Sequence, residues 1–246
     1  MNLIVDIGNS LIKVAVVENS QVLGIQRYAT AEELATASFW GEYASIKRAI
    51  VASTAVDTRC VAELLRSRGV KTLEMTQSTP VPIANGYHTP ETLGVDRLAA
   101  AVGAVDMVGG DCVIVDFGSA ITIDLVEGGV FRGGNISPGV AMRFRALHDY
   151  TQRLPECEPT DEILEVGTTT RKAIEQGVMQ GITHEIEGYI SHFYAKNVKL
   201  SLIFTGGDAK YFVKRIKNAI FAKYDLVICG LNRILEYNAK SEEENI

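Results

Sequence analysis

The sequence predicts an α/β chain of two related lobes, each opened by a β-hairpin and facing the other across a cleft. Three observations carry this. First, Leu3-Ile4-Val5-Asp6-Ile7-Gly8-Asn9-Ser10 returns about 110 residues later as Val113-Ile114-Val115-Asp116-Phe117-Gly118-Ser119-Ala120. Second, both copies continue alike: an apolar, β-rich run over 11–17 or 121–126, a turn at Glu18-Asn19-Ser20 or Glu127-Gly128-Gly129, then a third short apolar run. Third, a late apolar strand runs into a glycine corner, Phe204-Thr205-Gly206-Gly207-Asp208. Two copies are too few for a solenoid, so a pair of facing lobes is the natural arrangement.

Taken in order, 46–53 reads as a strand behind the first hairpin. Residues 57–68 read as a helix, capped by Asp57 or Thr58, striped by Val61, Leu64 and Leu65, and ended by Gly69. The stretch 79–90 is rich in turn formers, and its prolines remove ladder donors, which suits a loop or an edge. A helix apolar all round follows over 95–108 and stops at Gly109-Gly110. The lobe boundary is placed there, giving lobes of 1–109 and 110–246. The second lobe continues with a backbone-permissive loop at 133–139, helices over 140–154 and 169–197, and a buried strand over 200–204. A helix over 209–216, the apolar run Leu226-Val227-Ile228-Cys229-Gly230 and a last helix complete it, with a solvated, frayed tail over 240–246.

The bulk properties narrow the function classes. A net charge of −6 without a basic stripe argues against extended nucleic-acid binding. No apolar run approaches the roughly 20 residues of a membrane span, and the first residues lack the basic-then-apolar pattern of a secretory signal, so a cytoplasmic protein without a membrane partner is expected. Cys60, Cys112, Cys157 and Cys229 lie far apart, which suits reduced and mostly buried thiols rather than a zinc site or disulfide framework. An acidic chain can still bind an anionic nucleotide where a metal ion and a few backbone N–H groups supply local positive potential.

Three constellations meet that condition. A carboxylate at the end of a buried strand costs several kcal/mol unless paired or metal-bound, so Asp6 and Asp116 in matching places call for a purpose. Gly8 and Gly118 let the backbone turn so that following N–H groups can cradle phosphate oxygens, with Asn9, Ser10 and Lys13 as added donors. A single Asp-x-Gly is more often a plain turn; its duplication is what gives it weight. The Gly206-Gly207 corner could admit adenine or ribose, although such corners are usually only tight strand-to-helix turns. Gly94-Val95-Asp96-Arg97 sets a carboxylate and a guanidinium at a helix start. The plain reading is a carboxylate favoured by the helix dipole, and the functional one is a general base beside an anion clamp. His184 beside Glu185 reads as a surface or packing histidine, and no P-loop sequence is present.

In the order and spacing of these motifs the chain resembles the type III pantothenate kinases, from the first strand to the last helix. The resemblance rests on Asp6-Ile7-Gly8-Asn9-Ser10 with Lys13, Tyr87 ahead of Gly94-Val95-Asp96-Arg97, and Asp116-Phe117-Gly118-Ser119-Ala120-Ile121-Thr122. It also uses Gly133-Gly134-Asn135-Ile136-Ser137-Pro138-Gly139, Thr170 and Thr205-Gly206-Gly207-Asp208. It implies duplicated ribonuclease-H-like, actin-like lobes with mixed sheets flanked by helices. It implies transfer of the γ-phosphoryl of ATP to pantothenate, with Asp96 as base and Asp6 placing Mg2+. Residues 6 to 13 (Asp6, Ile7, Gly8, Asn9, Ser10 and Lys13 among them), Ser119, Gly206 and Gly207 would hold the nucleotide. Tyr87, Gly94, Val95, Arg97 and Thr170, with Thr169 the neighbouring alternative, would line the pantothenate site. Asp116 would bind a monovalent cation, K+ or NH4+, and the protein would be a homodimer. Ser119 stands where many members carry Thr, which keeps the hydroxyl.

Two other functions fit the same motifs. A phosphohydrolase of this fold would use water as acceptor, which leaves Tyr87, Asp96 and Arg97 without a task. A nonenzymatic nucleotide-binding regulator would not need both Asp6 and Asp96.

Overall fold

A computed structural model describes residues 1–8, 11–43, 45–54, 57–196, 199–216, 221–223 and 225–243. The chain divides into two units: Met1–Gly109 with Gly129–Phe131 and Leu226–Ile246, and Gly110–Gly128 with Arg132–Asp225. In chain order the first stretch gives β1 (Asn2–Ile7), β2 (Ile12–Glu18), β3 (Gln21–Tyr28), α1 (Ala31–Ala35), α2 (Phe39–Glu42) and β4 (Arg48–Ser53). Then come α3 (Arg59–Ser67), β5 (Lys71–Glu74), β6 (Ala84–Asn85) and α4 (Val95–Val108). The chain continues with β7 (Cys112–Phe117), β8 (Ala120–Glu127), β9 (Val130–Pro138), α5 (Val140–Asp149) and α6 (Thr170–Lys196). It finishes with β10 (Ser201–Thr205), α7 (Ala209–Phe212), β11 (Phe221–Ala222) and α8 (Leu226–Glu243).

The first unit's sheet runs β3-β2-β1-β4-β5, with β1 antiparallel to β2 and parallel to β4. Asn19 and Ser20 both take positive φ (51° and 61°), the two-residue turn whose twist suits a hairpin. Alternation along β1 divides its side chains. Leu3, Val5 and Ile7 join a core with Phe39, Val61 and Leu65, while Ile4 and Asp6 point to the opposite sheet face. That second face is covered by α8, which lies against β1 and β4, and by α4.

The second unit repeats the plan. Its sheet carries the order β11-β10-β7-β8-β9, with β7 antiparallel to β8 and parallel to β10. Gly128 and Gly129 (φ 62° and 72°) supply the same left-handed turn as Asn19 and Ser20. Val113, Val115 and Phe117 pack on Val140 and Phe144 of α5 and on Met179, Ile182 and Ile186 of α6, and Phe117 stacks on Phe212 at 4.6 Å between ring centroids.

Most expected elements form, and α4 has the expected limits because Gly109 (φ 68°) ends it in the left-handed region. Four differ. The last helix, expected with the second lobe, belongs to the first unit, and the run 226–230 is its opening turns. The reason is a glycine contact: a Cβ on Gly230 would lie 1.8 Å from the Ala99 carbonyl oxygen, and one on Gly103 would lie 2.6 Å from that of Leu226. Without those side chains the backbones of α4 and α8 touch. The expected loop at 133–139 is mostly strand β9, because Gly134 lets the chain cross close over Asp124, where a Cβ would lie 2.1 Å from the Ile123 carbonyl oxygen. The helix expected over 209–216 is a four-residue α7, and α5 ends at Asp149 rather than near 154. Of the expected tail, 240–243 continues α8 and 244–246 lies outside the described residues. Cys112 and Cys157 are buried as expected; Cys60 is exposed. Among the described residues no helix is long and apolar enough to cross a membrane.

Candidate active site

In the first unit the β1–β2 register sets Asp6 opposite Lys13, and Lys13 Nζ lies 3.7 Å from Asp6 Oδ2. The Asp6 carboxylate is largely withdrawn from solvent, and burial raises its pKa above the ordinary range. Lys13 pulls it back, and the negative charge of Asp96 pushes it up again. The Gly8 N–H donates to the Leu11 carbonyl at 3.1 Å, closing the loop between the strands. Ile7 is a core side chain, so only its backbone can face a ligand. Asn9 and Ser10 lie outside the described residues.

Asp96 stands on α4, which packs against β4 of the same sheet, and its charge is felt at Asp6. It occupies the first turn of α4, where the helix dipole favours a carboxylate, and its Oδ1 accepts the backbone N–H of Arg97 at 2.8 Å. Gly94 is the residue before the helix, and a Cβ there would fall 2.5 Å from Asp96 Oδ1. The glycine therefore clears room for the carboxylate. Val95 is buried and anchors the turn.

Arg97 is buried at 7% exposure, unusual for a guanidinium. Its Cζ lies 5.7 Å from the Tyr87 ring centroid and 5.8 Å from that of Phe131, both within cation–π range. Nothing in the local sequence pointed to Phe131. It arrives through β9, whose Val130 and Phe131 pair in parallel with Ala84 and Asn85 inside the first unit. The Gly86 N–H donates to the Phe131 carbonyl at 2.9 Å, so the segment leading to Tyr87 is held by the same strand.

In the second unit Asp116 stands opposite Thr122, where its counterpart Asp6 faces a lysine. Gly206 (φ 90°) closes over it; a Cβ there would lie 2.4 Å from Asp116 Oδ1 and 2.5 Å from the Phe117 carbonyl carbon. The Asp208 N–H donates to the Phe117 carbonyl at 3.1 Å, which ties the glycine corner to the hairpin. Burial raises the pKa of the Asp208 carboxyl, partly offset by Lys210. Ser119 and Gly207 are exposed at the open side of these loops. Thr170 begins α6 and, with Leu147, Tyr150 and Ile174, lines an apolar groove between α5 and α6. Thr169 acts as a helix cap, since its Oγ1 accepts the Lys172 N–H at 3.3 Å. His184 is exposed, 3.7 Å from Glu187, as expected of a surface histidine.

A family model described as type III pantothenate kinase matches residues 2–192. The chain belongs to the type III pantothenate kinase family. A protein of that name from Phocaeicola vulgatus is 39% identical over 242 residues, covering 98% of this chain and 100% of the relative. One from Bacteroides fragilis is 41% identical over 240 residues, 97% and 98% of the two chains. Among solved structures, the chain is similar to one described as a conserved Baf-family transcriptional activator from Campylobacter jejuni, with a TM-score of 0.66, 21% identity and coverage of 97% and 99%. It is also similar to the activator of 2-hydroxyisocaproyl-CoA dehydratase from Clostridium difficile with bound ADPNP, with a TM-score of 0.55, 12% identity and coverage of 100% and 97%. At those identities the likeness establishes the fold, and the fold is actin-like: two mixed sheets, each flanked by helices. Within a type III pantothenate kinase, Asp6, withdrawn from solvent and feeling the charge of Asp96, is a carboxylate that could hold a divalent metal. Over Asp116 a Cβ at residue 206 would run into the carboxylate and the Phe117 backbone, so only glycine fits there.

Proposed function

We propose that the chain transfers the γ-phosphoryl group of ATP to the primary hydroxyl of pantothenate, giving 4′-phosphopantothenate and ADP in the first step toward coenzyme A. The observation that carries this reading is the placement of Asp96 at the head of α4, near Asp6 and next to the buried Arg97. Asp96 takes the proton of the acceptor hydroxyl, whose oxygen forms the new bond to the γ-phosphorus as the bond to the β,γ-bridging oxygen breaks. Arg97, steadied by the Tyr87 and Phe131 rings, holds the pantothenate carboxylate. Gly94 and Val95 shape the acceptor turn, and Thr170 contributes its hydroxyl from the start of α6. The commitment of Thr169 to capping favours Thr170 over its neighbour.

Asp6, Gly8, Lys13 and the backbone of Ile7 serve the nucleotide phosphates, as do Asn9 and Ser10 by analogy with the family. Ser119, Gly206 and Gly207 serve the nucleotide from the second unit. Asp6 would hold Mg2+, which neutralises phosphate charge when bound, and Asp116 would hold K+ or NH4+. The apolar groove between α5 and α6, with Tyr150 89% exposed beside it, supports a homodimer that covers this surface.

The test is ADP release by the purified protein with ATP, Mg2+ and K+, comparing pantothenate, glucose, acetate and no acceptor. Release that depends on pantothenate is expected. Release without any acceptor would make the chain a hydrolase, and none under any condition would make it a binding protein.

A further inference from the structure

We infer that Arg143, paired with Glu185, is a positioning residue that fixes the Gly118-Ser119 loop for the nucleotide. The inference rests on the reading of that loop as a nucleotide contact. Arg143 sits in the first turns of α5, where a basic residue ordinarily faces solvent, as the neighbouring Arg145 does. Here its side chain is 22% exposed and Glu185, midway along α6, is 24% exposed, and the two form an ion pair. The guanidinium has two further partners: its Nε donates to the Pro138 carbonyl at 2.8 Å and its Nη2 to Ser137 Oγ at 3.2 Å. A planar guanidinium serves a carboxylate, a carbonyl and a hydroxyl together in fixed directions, which a lysine's single ammonium reproduces only in part.

What the fork holds bears directly on the phosphate loop. The Gly139 N–H donates to the Ser119 carbonyl at 3.2 Å. A Cβ on Gly139 would stand 2.4 Å from the Ser119 oxygen and 2.5 Å from that of Gly118, so the two backbones ride on one another. The Arg143 N–H donates to the Gly139 carbonyl at 3.0 Å, closing the first turn of α5 over the same glycine. The path therefore runs from α6, through Glu185 and Arg143, to Ser137-Pro138-Gly139 and on to Gly118-Ser119. A 27-residue helix anchors one end and a phosphate loop forms the other. An isolated surface ion pair contributes little to stability, and this pair is only partly withdrawn from solvent. Its placement here limits the freedom of a loop that must present backbone N–H groups in fixed directions.

The experiment combines two readouts on Arg143→Gln, Arg143→Lys and Glu185→Gln, with Ser119→Ala as reference. Amide hydrogen exchange of the ligand-free protein reports the clamp itself, through the Gly139 and Asp208 amides, and calorimetry reports ATP affinity. Arg143→Gln is expected to speed exchange at both amides and to weaken ATP binding by about tenfold, with the KM for pantothenate within about twofold of wild type. Arg143→Lys should recover part of the affinity, and Glu185→Gln, the mildest change, should show the same split if Arg143→Gln fails to fold. Unchanged exchange in folded variants would overturn the clamp. Faster exchange with unchanged ATP affinity would overturn the positioning role. If Ser119→Ala also leaves ATP binding untouched, the nucleotide assignment of the loop falls with it; if Ser119→Ala weakens binding, only the clamp is lost. Equal losses for ATP and pantothenate would reduce the pair to a structural role.

Discussion

The two Asp-x-Gly hairpins share a strand, a turn and a left-handed two-residue corner, yet their carboxylates live in different chemistry. Asp6 faces Lys13 across the ladder and feels the charge of Asp96. Asp116 faces Thr122 and lies under Gly206. One copy has gathered charges, and the other has been enclosed by backbone. The difference shows how a duplicated scaffold can divide labour without changing its strands. The residue across the ladder is lysine in one copy and threonine in the other, and a helix carries a charge toward one carboxylate where a glycine backbone lies over the other.

The largest expected effect breaks the charged copy. Asp96→Asn keeps the shape of the helix start and removes the base, so kcat should fall by about 10²- to 10⁴-fold with ATP affinity nearly intact. Steady-state kinetics with calorimetric ATP binding checks both halves, and a variant with wild-type turnover would remove Asp96 from the chemistry. Next in size is Gly206→Ala, which strikes the enclosed copy. Its Cβ would meet Asp116 and Phe117 backbone at about van der Waals overlap in a left-handed conformation, and a loss of about 3 kcal/mol in unfolding free energy is expected. The same change at Gly207, where nothing lies within 4 Å of the added carbon, should be nearly silent in stability. Urea melts of the two variants decide whether enclosure is the real distinction.

Much of this was legible in the sequence because it is local. Gly94 and Gly109 bracket α4, the Glu18-Asn19-Ser20 and Glu127-Gly128-Gly129 turns fix both hairpins, and the hairpin register brings Lys13 to Asp6. Asp96 and Arg97 could be singled out from their helix-start position. What escaped depends on contacts far apart in the chain. Phe131 beneath Arg97 and Tyr87 needs β9 to pair with β6. Arg143 looks like any arginine on a polar helix face until α6 brings Glu185 to it. The glycines at 133, 134 and 139 read as loop formers, whereas 134 serves close passage over Asp124 and 139 close passage over Ser119. The small residues of α4 allow α8 to return to the first unit, against the usual expectation that a terminal helix stays with its neighbours in sequence.

A smaller effect sharpens the comparison from the cation side. Replacing K+ by Na+ at equal ionic strength should lower turnover by about tenfold, the scale of one favourable charge contact of about 1.4 kcal/mol. Asp116→Asn should flatten that dependence, and Lys13→Met should preserve it. Initial rates across a KCl–NaCl series at constant ionic strength provide the check. A dependence that survives in Asp116→Asn would move the cation away from the enclosed carboxylate.

The smallest effect concerns the stability cost of the charged copy. The folded chain holds the Asp6 proton to a higher pH than the unfolded chain does, chiefly because burial penalises the carboxylate and secondly because Asp96 is near, with Lys13 opposing both. Between the ordinary carboxylate pKa and the raised folded value, the native state binds more protons than the unfolded one, so stability falls as pH rises through that window. Above it the full penalty remains. Asp6→Asn removes a charge that burial disfavours, and in the ligand-free protein near neutral pH it should raise Tm by a few degrees, the scale of about 1 kcal/mol in a chain of this size. The gain should vanish below the ordinary carboxylate range, where both chains are neutral at this position. Thermal melts at several pH values, without nucleotide or Mg2+, separate the two cases. A variant less stable than wild type near neutral pH would mean that the Lys13 pairing outweighs desolvation, and that the first hairpin carries a structural ion pair rather than a carboxylate kept at a cost for its ligand.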